Sequence, residues 1–272
     1  TGQFIIKNSG TISSNASLFA TISLDGSDSM VKIVNTGLIE TFLAAAIDIS
    51  GENNDVTIRN FGVIENDVIL SSGDHLIRSQ TGTIDGKIYI PNDGSVKLFL
   101  GDENNEVFEG GDGADRYDLG GGIDSLFYYI DSTGVHVDLA AGRGYSGNAK
   151  GDVLIGVENL SGGFGDDLLL GDGNDNELLG VFGADELFGR GGDDVLDGDY
   201  DHDNLDGSDG NDTLIGGDGG DDLTGGADAD VFVYRYTTDS AVTGIGRDRI
   251  MDFEQGTDLI DLSALGIESF IN

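Results

Sequence analysis

Between residues 162 and 233 an aspartate or asparagine returns at every ninth position: Asp167, Asn176, Asp185, Asp194, Asp203, Asp212, Asp221 and Asp230. Carboxylates stacked at one strand spacing, ~4.8 Å, repel each other unless a cation lies between them. Calcium is the hard cation that accepts about six to eight oxygen ligands in a flexible arrangement. The glycines around each aspartate extend the donor set, because a backbone without Cβ can aim its carbonyls at an ion from close by. Type and spacing together point to calcium chemistry.

The elements that must position these groups follow from the same period. The stretch divides without slip into eight nonapeptides: GGFGDDLLL, GDGNDNELL, GVFGADELF, GRGGDDVLD, GDYDHDNLD, GSDGNDTLI, GGDGGDDLT and GGADADVFV. Position one is Gly throughout, and position eight is Leu until Phe232 closes the series. The first six positions predict a tight turn, and the last three a minimal strand whose middle residue points inward. Two nonapeptides then complete one coil and place the turns alternately on two edges. Asp167, Asp185, Asp203 and Asp221 stack on one edge; Asn176, Asp194, Asp212 and Asp230 stack on the other. A shorter block, GDENNEVFE, GGDGADRYD and LGGGIDSLF, runs over 101–127 in its own frame with Asp115 and Asp124 at position six, and Glu106 replacing Asp in the first. Residues 128–161 shift the phase and read as an irregular coil.

The pattern G-G-x-G-x-D-x-U-x resembles the calcium-binding nonapeptide of the RTX (repeats-in-toxin) proteins. That resemblance implies sites between coils. Each would take the carbonyls of positions two and four plus the Asp of one turn, and the carbonyls of positions one and three plus the Asp of the turn 18 residues later. One such site uses Gly163, Gly165 and Asp167 with Gly180, Phe182 and Asp185. The later turns supply Gly189, Gly191 and Asp194; Gly198 and Asp203; Gly207, Asp209 and Asp212; Gly216, Asp218 and Asp221; and Gly225, Ala227 and Asp230. About six or more calcium ions are expected, with a weaker site at Asn176, whose amide is neutral. After the repeats, DVFVY and DRIMDFEQGTDLIDLSAL are similar to the segment that closes the β-roll in serralysin-type metalloproteases and in the R-modules of mannuronan C-5 epimerases. Physically this is a cap over an otherwise open solenoid end. Asp248, Asp252 and Asp258 there read equally as capping residues or as ligands of one further calcium. The resemblance also implies export by a type I route to the extracellular space.

The first hundred residues are different. They carry 11 acids against 6 bases, and the remaining residues 40 against 7. A looser repeat, IIKNSGTI, KIVNTGLI, TIRNFGVI and IRSQTGTI, places Gly10, Gly37, Gly62 and Gly82 at successive turns between short alternating strands. Coils of a parallel β-helix fit this recurrence, with a meandering antiparallel sandwich as the alternative. The expected fold is thus all-β: a parallel β-helix-like region over 1–100, a β-roll over 101–233 and a cap over 234–272.

Composition narrows the function. A formal charge of −38 disfavours nucleic acid and anionic membrane faces as partners. No apolar run approaches the ~18 residues of a membrane span. Cysteine is absent, so no disulfide framework exists. The chain opens without Met or a recognisable leader and ends soon after the cap, as expected of a fragment or a processed chain. His75, His136 and His202 lie far apart and none begins H-E-x-x-H, which excludes zinc proteolysis on this chain. His202, in DYDHDNLD, is similar to the Asp-His-Asp of epimerase sites, yet at position five its side chain should face solvent. No Gly-x-Ser-x-Gly elbow is present. Two functions remain. One is a secreted, non-catalytic calcium-binding structural or interaction module, which could meet an extracellular polysaccharide or a cell-surface component. The other is an enzyme, or its accessory module, acting on alginate-like polyuronates.

Overall fold

The computed structural model describes residues 97–101, 103–240 and 246–266 throughout, and the β-strands alone before residue 97. The chain forms two compact units, Thr1–Leu126 with Asn148–Val157, and Phe127–Gly147 with Glu158–Asn272. The compositional step near Gly101 falls inside the first. Among the described residues there is no α-helix, only two short 3-10 turns at Gly147–Ala149 and Ser263–Leu265.

In the first unit each N-terminal coil has three strands. The first coil is Gln3–Asn8, Thr11–Ser14 and Ile22–Asp25, and the second Met30–Asn35, Leu38–Thr41 and Ile47–Ser50. Two more follow, ending at Ile88–Tyr89. Every described pairing among these strands is parallel, which rules out the antiparallel sandwich. Strand register lines up Ile6, Ile33, Ile58, Ile77, Phe99, Tyr117 and Leu154 in one column. From Ile33 onward that column is buried. β-branched residues suit such strands because they pack well on a pleated, buried face. Phe99 and Tyr117 stack with ring centroids 4.8 Å apart. The recurrent glycines Gly10, Gly37, Gly62 and Gly82 lie outside the described residues.

The second unit is a two-sheet solenoid with one inward side chain per nonapeptide. One column runs Val137, Leu169, Leu187, Leu205, Leu223 and Ile250. The other runs Leu160, Leu178, Leu196, Leu214, Phe232 and Ile260. All the repeat leucines and Phe232 are buried. A hairpin of His136–Asp138 with Arg143–Ser146, an antiparallel pair, interrupts the parallel scheme within the irregular coil.

One expectation needs correction. The strands Glu177–Phe182, Glu186–Gly191, Val195–Tyr200, Asn204–Asp209 and Asp222–Ala227 are six residues long, covering positions seven to nine and then one to three of the next nonapeptide. The cause is that positions two and three pair again between coils, as in Val181↔Asp199 and Phe182↔Tyr200. In those repeats the turn proper is therefore only positions four to six, while Leu168–Leu170, Thr213–Ile215 and Val231–Val233 keep the expected three residues.

Candidate metal centre

From Asp185 onward each position-six aspartate makes the same bond: its Oδ1 accepts the backbone N–H of the position-six residue one coil earlier, whereas Asp167, the first, accepts from Val135 N–H at 2.7 Å. On one edge Asp185 accepts from Asp167 at 2.8 Å, Asp203 from Asp185 at 2.8 Å and Asp221 from Asp203 at 2.9 Å. On the other edge Asp194 accepts from Asn176 at 2.7 Å, Asp212 from Asp194 at 2.8 Å and Asp230 from Asp212 at 3.0 Å. Stacked carboxylates are thus threaded on backbone donors, a role that repulsion arguments on the sequence missed. The strict 18-residue phase was the signal for it.

This bond uses one oxygen. Oδ2 of Asp185, Asp194, Asp203, Asp212, Asp221 and Asp230 is buried and has no hydrogen-bond partner. An ionised oxygen in that state is costly unless a cation neutralises it. Asp167 differs, its Oδ2 accepting from Gly163 N–H at 2.7 Å. Burial pushes the carboxyls up, to about 6 at Asp167, Asp212 and Asp221, about 7 at Asp185 and Asp194, and about 8 at Asp203. Neighbouring carboxylates push the same way, and the backbone donors pull against both.

The glycines divide the labour. The position-one glycines of 162–233 do not have positive φ; they are Gly because a Cβ would run into the aspartate Oδ2 of the same nonapeptide or, at Gly171, into Asn176 Oδ1. At Gly180, Gly189, Gly198 and Gly207 the carbonyl of the position-one glycine one coil later crowds the same spot, 2.7–2.9 Å from where a Cβ would stand. Oδ2 and that carbonyl therefore face a common space. Positions two and four instead carry the left-handed backbone: Gly217 and Gly226 at two, Gly183, Gly192 and Gly210 at four. Val181, Arg190, Asp199 and Ser208 adopt it at position two without being Gly.

Among the described residues no three His, Cys, Asp or Glu side chains converge on one point. Any ion must therefore draw on carbonyls. Some are already engaged: Gly163 O accepts from Phe182 N–H at 3.1 Å, and Asp218 O from Asp201 N–H at 2.9 Å. Each keeps a second lone pair for a cation. Two buried aspartates per interval, an orphaned carboxylate oxygen and a carbonyl beside it form an all-oxygen donor set, which fits calcium.

Asn176 breaks the pattern and is satisfied otherwise. Its Nδ2 donates to Glu158 O at 2.9 Å, and its Oδ1 accepts from Asp172 N–H at 2.8 Å. Arg190 donates to Gly171 O at 2.8 Å and grips Asp138 with two bonds, which lowers the Asp138 carboxyl.

In the first unit Asp115 accepts from Lys97 N–H at 2.8 Å and Asp124 from Glu106 N–H at 2.7 Å. Asp115 N–H donates in turn to Asp152 at 2.8 Å, a partner outside the nonapeptide frame. Glu106 reproduces the position-one crowding at Gly101. At the far end Asp248 accepts from Asp221 N–H at 3.1 Å, Asp258 from Asp230 N–H at 3.2 Å, and Asp252 from both Gly225 and Gly226 N–H. These bonds put all three over the last turns, and Asp248 also keeps a buried Oδ2 without a hydrogen-bond partner, as the repeat aspartates do, so capping and a further ion both fit them. His202 is exposed, and its Nδ1 accepts from Gly220 N–H at 2.9 Å, part of a second ladder at position five that also includes Asp175, Asp193 and Asn211.

The chain matches, over residues 120–272, the family described as Peptidase M10 serralysin C terminal. Over residues 99–126 it matches the RTX calcium-binding nonapeptide repeat (4 copies). No curated protein matches it.

Proposed function

The chain belongs to the family of serralysin C-terminal domains, with RTX calcium-binding repeats, and from that premise we propose that it is a secreted module whose repeats fold on extracellular calcium and which performs no catalysis itself. The single observation that carries this reading is the row of buried, partnerless Oδ2 atoms, each beside a position-one glycine that leaves room for nothing larger than hydrogen. In the proposed sites Asp167 and Asp185 act with the carbonyls of Gly163, Gly165, Gly180 and Phe182, and the same positions repeat along both edges. Bound calcium would supply the positive charge that lets adjacent carboxylates ionise at neutral pH. The chain's own residues do the rest. Backbone N–H groups fix each Oδ1, the leucine columns hold the coils in phase, and Asp248, Asp252 and Asp258 close the end.

Residues 162–233 hold 21 acids and one base, Arg190. Self-repulsion on that scale opposes folding until cations bind. Low calcium inside a cell then keeps the block unfolded for export, and millimolar calcium outside folds it. Six 18-residue intervals in the long block suggest about six ions. A far-UV circular dichroism titration from chelated protein tests this. The expected result is a cooperative gain of β signal on adding calcium that magnesium does not reproduce. A spectrum that is folded and unchanged in chelator contradicts it. Incubation with polymannuronate in calcium should leave the polymer unaltered by proton NMR, and new guluronate signals would overturn the non-catalytic part.

A further inference from the structure

The aspartate column of the first unit begins on a lysine. Strand Lys97–Leu100 pairs in parallel with Arg116–Asp118, Phe99 facing Tyr117. This is the same 18-residue step that the repeats use, and it sets Lys97 one coil ahead of Asp115. The backbone agrees, since Lys97 N–H donates to Asp115 Oδ1 at 2.8 Å, the bond made by the position-six N–H groups of the long block. Residues 92–100, NDGSVKLFL, keep the phase too, with Lys97 at six and the core residue Phe99 at eight. Lys97 thus stands where a ligand aspartate would stand.

Its side chain is only 1% exposed, unusual for a lysine. A buried ammonium needs oxygen partners. Nζ donates to the carbonyl of Asp112 at 3.3 Å, and Asp112 is position three of the turn 110–118. Under the calcium reading, on which this inference rests, that carbonyl belongs to the ion between this coil and the previous one.

We propose that the Lys97 ammonium is a built-in cation occupying the place of the first intercoil ion, so that this rung closes without calcium. A tethered charge does not depend on the outside concentration. Coil 97–118 then stays folded when calcium is scarce and, through the Asp115–Asp152 bond at 2.8 Å, forms an ordered rung from the start. In a solenoid, where stability is built from nearest neighbours, one preformed rung is a place for folding to begin.

Hydrogen exchange of the full chain, in chelator and in calcium, tests this. In chelator, amides of 97–118 should stay protected while those of 185–221 exchange; calcium should protect both. Lys97→Met should speed exchange of 97–118 in chelator by about tenfold or more. Lys97→Asp should do the same in chelator, regain protection in calcium, and bind one more ion by equilibrium dialysis. Free exchange of 97–118 in chelated native protein overturns the proposal. So does Lys97→Met that remains protected there, or Lys97→Asp that calcium does not rescue. Protection of 185–221 in chelator would instead overturn the calcium reading, leaving the Lys97→Met result to decide the role of the ammonium.

Discussion

The strands before residue 97 and the repeats after residue 161 stack coils in parallel, yet they stack different things. In the first, the register carries Ile33, Ile58 and Ile77 in a buried apolar column. In the second, the register carries a leucine column and, two residues before it, a buried aspartate column. An apolar column gains stability from each added coil whether or not calcium is present. A carboxylate column gains hydrogen bonds but adds one buried charge per rung. Coil for coil, the first architecture is unconditional and the second is conditional on cations.

The largest effect that separates them is chelation. Limited proteolysis in chelator should cut throughout 162–233 and leave fragments of the N-terminal coils intact, with calcium protecting the repeats. Equal resistance of both regions in chelator would erase the distinction.

Acidity should come next. The carboxyls of Asp185, Asp194 and Asp203 are raised from 3.8 to about 7–8. A raised carboxyl stabilises the fold while protonated, so in chelator this contribution is full below about pH 4 and is lost as pH rises through about 6–8. In calcium the trend reverses, because ligands must be deprotonated and acid displaces the ion. Thermal melts across pH 4–8, with and without calcium, should cross; parallel curves would contradict the account.

A single glycine gives a smaller, local break. Gly207→Ala places a methyl against Asp212 Oδ2 and the Gly225 carbonyl, and should raise the calcium needed for folding about tenfold or more. Gly173→Ala is the control: nothing lies within 4 Å of its Cβ and its φ is not positive, so the titration should barely move.

The gentlest test is Asp203→Asn. The amide keeps an oxygen for Asp185 N–H but loses the charge. Apparent calcium affinity should fall severalfold, about 1–2 kcal/mol, with the number of bound ions reduced by at most one. An unchanged calcium titration would show that the hydrogen bond, and not the charge, dominates.

Much of this was legible in the residues. The leucines at position eight announced the core, and the aspartates at position six announced both edges of the solenoid, because a nine-residue period leaves no other phase. What stayed hidden required atoms. Position one is Gly for the sake of Oδ2, while position two takes left-handed φ in most repeats whether or not it is Gly, as Val181, Arg190, Asp199 and Ser208 show. The six-residue strands arose from pairing of positions two and three, which residue types do not advertise. Lys97 was visible as one base among six, and its place in the aspartate column emerged from register with Asp115. Asp152 was invisible in the same way, since the intervening segment breaks the count.

The most direct test of the central claim is diffraction from crystals grown in calcium, with anomalous data collected at long wavelength. The account predicts anomalous peaks between successive aspartates of each edge, among them Asp185 with Asp203 and Asp194 with Asp212, and none between Lys97 and Asp115. A map in which those intervals hold no peak, with the coils nonetheless folded, would contradict it.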